Sequence, residues 1–167
     1  KQHLRNPAAL AVVLSAIFFG TSATWWVAGS LALLPFVFVG GLVVVYKLQR
    51  FDLVLAFGIS ALATVALTSA NPLAGIQATL LYSVLFFFAF VMLTEPSTTP
   101  PTRALRIAYG ILVGVLFIES PHIGSLYFSP ELVLVTGNIF SYAVSMKGRY
   151  MLTLVERRPL ASGVYEY

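Results

Sequence analysis

Residues 6–46 read NPAALAVVLSAIFFGTSATWWVAGSLALLPFVFVGGLVVVY and contain no charged side chain. The hydrocarbon core of a bilayer is about 30 Å thick, and about 20 helical residues cross it. This stretch is therefore long enough for two crossings. We divide it at residues 20–26, where small and hydroxyl-bearing residues and two Trp interrupt the aliphatic run. It predicts one helix over residues 8–24 and another over residues 28–46.

The rest of the chain continues in the same way. Further apolar runs predict helices over residues 53–69, 74–93, 104–118 and 130–146, which brings the total to about six. Hydrophobic residues make up 59% of the chain and charged residues only 10%, whereas soluble domains carry roughly 25% charged residues. The mean hydropathy is +0.90. The sequence therefore predicts an all-α membrane protein of about six transmembrane helices, in which the shorter runs fit either full spans or re-entrant half-helices.

The basic residues predict the orientation of these helices. All ten Lys and Arg side chains lie in or beside residues 1–7, 47–52, 94–103 and 147–167, which six crossings place on one side of the membrane. The opposite loops, around residues 20–27, 70–73 and 119–129, contain none. Basic loops face the cytoplasm, so both termini of this multi-pass chain are predicted to be cytoplasmic.

The last residues have a different pattern. Residues 150–167 alternate apolar and polar side chains on either side of Pro159 to Gly163, which is typical of a strand, a turn and a strand. A short β hairpin is therefore predicted at the C-terminus. It is either a flexible tail or the start of a truncated cytoplasmic domain, and we divide the chain into a transmembrane domain, 1–148, and that start, 149–167.

The residue types argue against several kinds of site. The chain has no Cys, which excludes disulfides, iron–sulfur clusters and thiolate metal sites within it. Its two histidines, His3 and His122, are predicted on opposite sides, so no haem is expected between facing helices. The spans hold hardly any ionisable residue, which argues against an ion-driven transporter. We assign no catalytic residue, no metal site and no nucleic-acid partner.

A polar, proline-rich loop is the best candidate for a ligand site. It reads TEPSTTPPT at residues 94–102 and is followed by Arg103. Its hydroxyls can bind polar groups, and its prolines restrict its shape. A helix that begins near Thr102 would direct its N-terminus, with Arg103 beside it, at an anion such as phosphate. The alternative interpretation is a solvated cytoplasmic loop with positive-inside arginines.

Separate segments over residues 1–146 together form a recognisable pattern: Asn6-Pro7-Ala8-Ala9, Thr94-Glu95-Pro96, Tyr109-Gly110 with Gly114, and Asn138. This pattern resembles a family of flavin-binding membrane proteins in bacterial redox complexes. Members of that family belong to the Rnf ferredoxin:NAD complex and to the sodium-pumping NADH:quinone reductase. The C-terminal stretch, LTLVE followed by LA and VYEY, resembles the opening strands of the FAD-binding barrel of ferredoxin–NADP reductases.

The resemblance implies a urea-transporter-like helical fold with broken helices, in the lipid bilayer of the bacterial inner membrane, and it leaves room for helices before Lys1. It implies FMN or riboflavin in the membrane domain, with FAD and NAD(P)H bound only by the missing C-terminal reductase domain. The membrane flavin would pass electrons from that flavodomain, in the same polypeptide, to an acceptor in or across the membrane. The chain would then be the membrane part of an NAD(P)H-dependent oxidoreductase. The implied cofactor-binding residues are Asn6, Thr94, Glu95, Pro96, Thr98, Thr99, Thr102, Arg103 and Asn138.

One departure from the pattern concerns how the flavin is attached. Members with covalent FMN carry a Ser/Thr-Gly-Ala-Thr motif, and here Thr21-Ser22-Ala23-Thr24 has Ser22 in place of Gly. A non-covalent flavin, or attachment elsewhere in the full protein, is therefore expected. Two other functions stay open, namely a reductase anchor without its own cofactor and a small-solute channel. Whether two copies pair as a homodimer also stays open.

Overall fold

Helices dominate the part of the chain that the computed structural model describes, which is residues 7–19, 30–119, 122–123, 126–127, 129–145, 158–161 and 164–166. The helices are α1 (Pro7–Phe19), α2 (Leu34–Leu48), α3 (Phe51–Thr68), α4 (Pro72–Tyr82), α5 (Leu85–Phe87), α6 (Arg103–Glu119) and α7 (Pro130–Val144), and a π-helix, Phe88–Met92, continues α5. Strands β1 (His122–Ile123) and β2 (Leu126–Tyr127) pair antiparallel, as do β3 (Arg158–Ala161) and β4 (Val164–Glu166). The predicted α-helical fold is confirmed.

Helix boundaries agree with the sequence for α3, α6 and α7 and differ for the first two helices. Helices α3, α6 and α7 begin and end within two residues of the predicted runs. Helix α2 begins at Leu34 and not at residue 28, because Pro35 suits the first turn of a helix and residues 31–33 form a turn before it. Helix α1 ends at Phe19, and the predicted break at residues 20–26 lies outside the described residues.

The described helices vary in their ability to cross a bilayer. Helix α3 alone is both long and apolar enough to do so, and α4 together with Leu85–Met92 would provide a second crossing if the pair forms one broken span. Helices α1 and α2 are apolar but shorter. At 1.5 Å per residue, a 13-residue helix such as α1 spans only about 20 Å. The six crossings therefore stay a prediction.

The predicted fourth helix, 74–93, is broken, and in this respect the prediction of one continuous helix was wrong. Helix α4 ends at Tyr82, and the segment Leu85–Met92 leaves it at an angle of 65°. The hydroxyl of Ser83 donates to the carbonyl of Thr79 at 2.5 Å and accepts from the amide of Leu85 at 3.1 Å. This side chain therefore competes for backbone hydrogen-bonding groups where the helix stops.

Helices α3 and α6 lie side by side and run in the same direction. A Cβ atom added to Gly110 would lie 2.7 Å from the carbonyl oxygen of Leu53, and one added to Gly114 would lie 2.6 Å from that of Phe57. Both contact points advance by four residues along their helices, which shows that the helices are parallel. Gly110 and Gly114 are four residues apart and form the small-xxx-small pair that commonly permits such a close contact between helices.

The phenylalanine cluster of the predicted fourth helix packs inside the fold. Phe86 and Phe90 lie edge-on to Phe38 of α2, with ring centroids 5.1 and 5.7 Å apart. Phe88 contacts Phe57 of α3 at 5.5 Å. Gly41 permits the approach of Phe90, because an added Cβ would overlap that ring, whereas Gly40 faces open space. Of these two adjacent glycines, Gly41 alone lies at a close helix contact.

An ion pair brings the α2–α3 turn to the start of α6. The guanidinium of Arg106 donates to Asp52 Oδ2 at 2.9 Å from Nε and 2.6 Å from the terminal nitrogen, and to the carbonyl of Pro101 at 3.1 Å. The turn at residues 49–50 and the loop at residues 93–102 therefore meet at one end of the molecule. This is the arrangement that the charge pattern predicts.

A C-terminal hairpin is present, but its first strand, Arg158–Ala161, covers most of the stretch from Pro159 to Gly163 that was predicted as the turn. Arg158 pairs with Glu166, and Ala161 with Val164, with an irregularity between Pro159 and Ala161. Residues 149–157 lie outside the described residues. The division into a membrane domain and the start of a reductase domain therefore stays a prediction.

Candidate functional site

The loop at residues 93–102 folds its threonines inward. Thr94, Thr98 and Thr99 are buried. Thr94 Oγ1 donates to the carbonyl of Phe90 at 2.6 Å, Thr98 Oγ1 to that of Glu95 at 3.4 Å, and Thr99 Oγ1 to that of Pro96 at 3.5 Å. Each hydroxyl proton is thus used within the loop or the turn before it, although the oxygens can still accept. In this arrangement these threonines shape the loop, and the sequence did not reveal that role.

The outer side of the same loop presents different groups. Pro96, Thr102 and Arg103 are exposed, and Ser97 Oγ donates to the Glu95 carboxylate at 2.7 Å. Thr102 begins α6, because its hydroxyl accepts from the amide of Leu105 at 3.4 Å. The predicted helix start is therefore correct. The first turn of α6 and the Arg103 guanidinium together form a surface that suits a phosphate.

Tyr109 and Asn138 form a buried polar contact between α6 and α7. The Tyr109 hydroxyl donates to Asn138 Oδ1 at 3.0 Å, and the two residues are 0% and 1% exposed. Gly137 makes the approach possible, since an added Cβ would lie 2.8 Å from the Tyr109 ring. Asn138 was among the predicted site residues. Tyr109 was part of the family pattern but was not predicted to line the site.

The other side of the Asn138 amide has no hydrogen-bond partner among the described residues. Its Nδ2 atom is buried and unpaired. If the amide oxygen and nitrogen of Asn138 are exchanged, a buried N–H group still lacks an acceptor, because the Tyr109 hydroxyl can accept from only one of the two N–H groups. A buried donor without a partner costs about 1–3 kcal/mol. A hydrogen-bond acceptor placed here, such as a ring carbonyl oxygen, would recover that energy.

Helix α6 connects these groups. Arg103 precedes Tyr109 by six residues, which is about 9 Å along a helix axis. The structure thus brings Asn138 against Tyr109 and places Thr102 and Arg103 at the start of the same helix. Asn6 lies outside the described residues.

An apolar recess lies at the break of the predicted fourth helix. It is lined by Val84, Phe87, Phe88 and Met92 and encloses no space even for a water molecule. Cofactor sites usually occupy roughly 300–1,000 Å³, so a flavin ring does not fit there. Among the described residues, no group of three or more His, Asp or Glu side chains could hold a metal ion.

The function of this chain has to be argued from its own residues. The resemblance described above rests on the segments quoted for it, and the unpaired amide of Asn138 is the structural feature that bears on it most directly. No family model, no curated protein and no solved structure matches the chain.

Proposed function

We propose that this chain is a membrane-embedded electron-transfer domain that binds a flavin. In this proposal it receives electrons from a cytoplasmic NAD(P)H-oxidising flavodomain in the same polypeptide and passes them to an acceptor in or across the bacterial inner membrane. A bound flavin supplies the electron transfer itself, and the protein binds and orients the ring. The proposal has a membrane component and a flavin component, which rest on different observations.

The membrane component is supported by the surface of the described helices. Soluble proteins rarely expose large contiguous apolar patches, yet these helices expose aromatic and branched side chains along much of their length. Among them are Phe18, Phe19, Phe36, Val39, Val43, Leu55, Ile59, Leu67 and Leu73. Lipid is the environment that stabilises such a surface. The basic groups at one end of the fold, Lys47, Arg50, Arg103 and Arg106, support a cytoplasmic position for that end.

The flavin component depends on one observation, the buried and unpaired Asn138 amide that Tyr109 holds in place. An isoalloxazine ring carries carbonyl oxygens that accept hydrogen bonds. Arg103 lies about 9 Å further out along α6, a span comparable with the five-carbon ribityl chain that separates ring and phosphate in FMN. Asn138 would hold the ring and Arg103 the phosphate, while the inward-facing threonines keep the loop between them in shape.

The first experiment is an absorbance spectrum of the detergent-purified chain, before and after acid precipitation. We expect a flavin band that moves into the supernatant, because the covalent motif is absent. Asn138→Leu combined with Tyr109→Phe should lower the flavin content several-fold without loss of folded protein, because the two changes together remove the unpaired amide donor and the hydroxyl that would otherwise lose its acceptor. Arg103→Gln should weaken FMN binding and leave riboflavin binding unchanged. A correctly folded chain that neither contains nor takes up any flavin would refute the flavin component alone.

One observation favours a second candidate, a membrane anchor without its own cofactor. The three buried threonine hydroxyls of the loop are already bonded to backbone carbonyls, as they would be in a purely structural loop. Replacing residues 1–148 of the full-length protein by an unrelated anchor separates the two. Electron transfer at an unchanged rate would favour the anchor, and its loss would favour the flavin domain.

A further inference from the structure

Two arginines lie near one carboxylate at the basic end of the fold, and only Arg106 is bonded to it. Asp52 Oδ2 accepts both hydrogen bonds that Arg106 donates to it, and the side chains of Arg106 and Asp52 are only 16% and 11% exposed. Arg106 also donates to the carbonyl of Pro101. This guanidinium and its carboxylate are therefore neutralised by each other, and the pair links α3, α6 and the loop before α6.

Arg50 takes no part in this ion pair. It precedes α3, it is partly buried, and its guanidinium has no hydrogen bond or ion pair with any described residue. Burial lowers the pKa of Arg50, and the nearby charge of Arg106 lowers it further, while Asp52 opposes the shift. An arginine stays protonated in spite of such effects. Within the part of the chain that the structure describes, the positive charge of Arg50 at the α2–α3 turn therefore has no bonded counterion.

Exposed apolar side chains precede and follow Arg50 in the chain. Tyr46 and Val43 share one exposed face of α2, and Phe51 follows Arg50 directly at the start of α3; their exposed fractions are 66%, 56% and 39%. Lys47 is exposed at the same turn. Cationic groups at the edge of an apolar, aromatic surface match a phospholipid, which joins a phosphate to acyl chains. A free phosphate would make no favourable contact with the apolar side chains of this surface.

We propose that Arg50 and Lys47 bind the phosphate of an anionic phospholipid whose acyl chains lie along Val43 and Tyr46. The site is separate from the flavin-binding residues, and it rests only on the membrane component of the proposed function. The lipid compensates the charge of Arg50 and covers the exposed face of α2. It therefore stabilises the turn that the Asp52–Arg106 pair holds against α6.

The experiment measures the thermal unfolding midpoint of the detergent-purified full chain during titration with lipid. Dioleoyl phosphatidylglycerol should raise the midpoint by about 3–5 °C at a tenfold excess over its dissociation constant. Dioleoyl phosphatidylcholine and inorganic phosphate should each leave it unchanged. The variant Arg50→Gln should lose at least two thirds of the shift. It should fold normally without lipid, because it relieves the repulsion from Arg106.

Lys1→Gln is the matched control. It removes one positive charge from a segment that the charge pattern places on the same side, outside both the proposed lipid site and the proposed flavin site, and should keep most of the lipid-induced shift. An equal loss in Arg50→Gln and Lys1→Gln would indicate attraction by net charge alone and would overturn the specific site. A shift reproduced by inorganic phosphate would indicate a free-anion site and would also overturn the proposal. The unfolding midpoint can be measured without bound flavin, so a failure of the lipid proposal can be distinguished from a failure of the flavin proposal.

Discussion

The hydroxyl of Tyr109 reaches Asn138 across 29 residues of sequence and satisfies one side of an amide that is otherwise buried among apolar groups. In a chain with so few polar side chains in its spans, such a contact affects both stability and ligand binding. Asn138 Oδ1 accepts a hydrogen bond from Tyr109, whereas Asn138 Nδ2 has no acceptor among the described residues. Binding residues often carry such a local cost, which the ligand then offsets.

Tyr109→Phe tests the structural half of this contact. We expect a loss of about 1 kcal/mol in the free energy of unfolding, because Asn138 Oδ1 loses its donor and hydrogen bonds between membrane helices contribute about 0.6–1.7 kcal/mol. Unfolding in mixed micelles measures it. Tyr82→Phe removes the same hydroxyl from an exposed position and should change stability by less than about 0.5 kcal/mol. Equal effects of the two substitutions would contradict the buried contact.

The site residues differ in how far the sequence could predict them. Thr102 and Arg103 follow from local rules, since a hydroxyl before a helix caps it and an arginine in the next position lies at the helix start. The inward turn of Thr94, Thr98 and Thr99 depends on tertiary packing. Composition alone shows only that their hydroxyls are present. The pairing of Tyr109 with Asn138 is also tertiary, and no local spacing predicts it.

At the level of helices, small residues mark contacts and a polar residue marks a break. Gly110 and Gly114 are four residues apart, so they lie on the same face of α6, and the sequence alone predicts their contact. The break at Ser83 was missed because a single serine is usually tolerated in an apolar helix. Its effect here arises from hydrogen bonds to both Thr79 and Leu85.

Gly114→Ala tests the contact between α3 and α6. The new Cβ would meet Ser60 Oγ and would lie 2.6 Å from the carbonyl oxygen of Phe57. Because backbone must move, we expect a loss of about 1–3 kcal/mol in the free energy of unfolding. Gly58→Ala on α3 is the control, since nothing lies within 4 Å of its added Cβ. It should be neutral or stabilising by up to about 1 kcal/mol. A neutral Gly114→Ala would show that the helices pack less closely.

At the scale of the whole molecule, parallel packing and charge placement restrict the topology. Helices α3 and α6 point the same way, so an odd number of crossings must lie between them in a membrane. The broken segment from Pro72 to Met92 satisfies this if α3 goes outward, the broken segment comes back and α6 goes outward again. The Asp52–Arg106 contact is consistent with it, because both residues lie near helix starts at one end.

Single cysteines can test this topology directly, since the chain has none of its own. Lys47→Cys and Ala104→Cys place thiols at exposed positions at the basic end, and Ala70→Cys places one at the far end of α3. In intact bacterial cells, a membrane-impermeant maleimide should label Ala70→Cys alone. In inside-out vesicles it should label the other two. Labelling of all three from one side would place α3 and the broken segment on the membrane surface, and the membrane component of the proposed function would then be wrong.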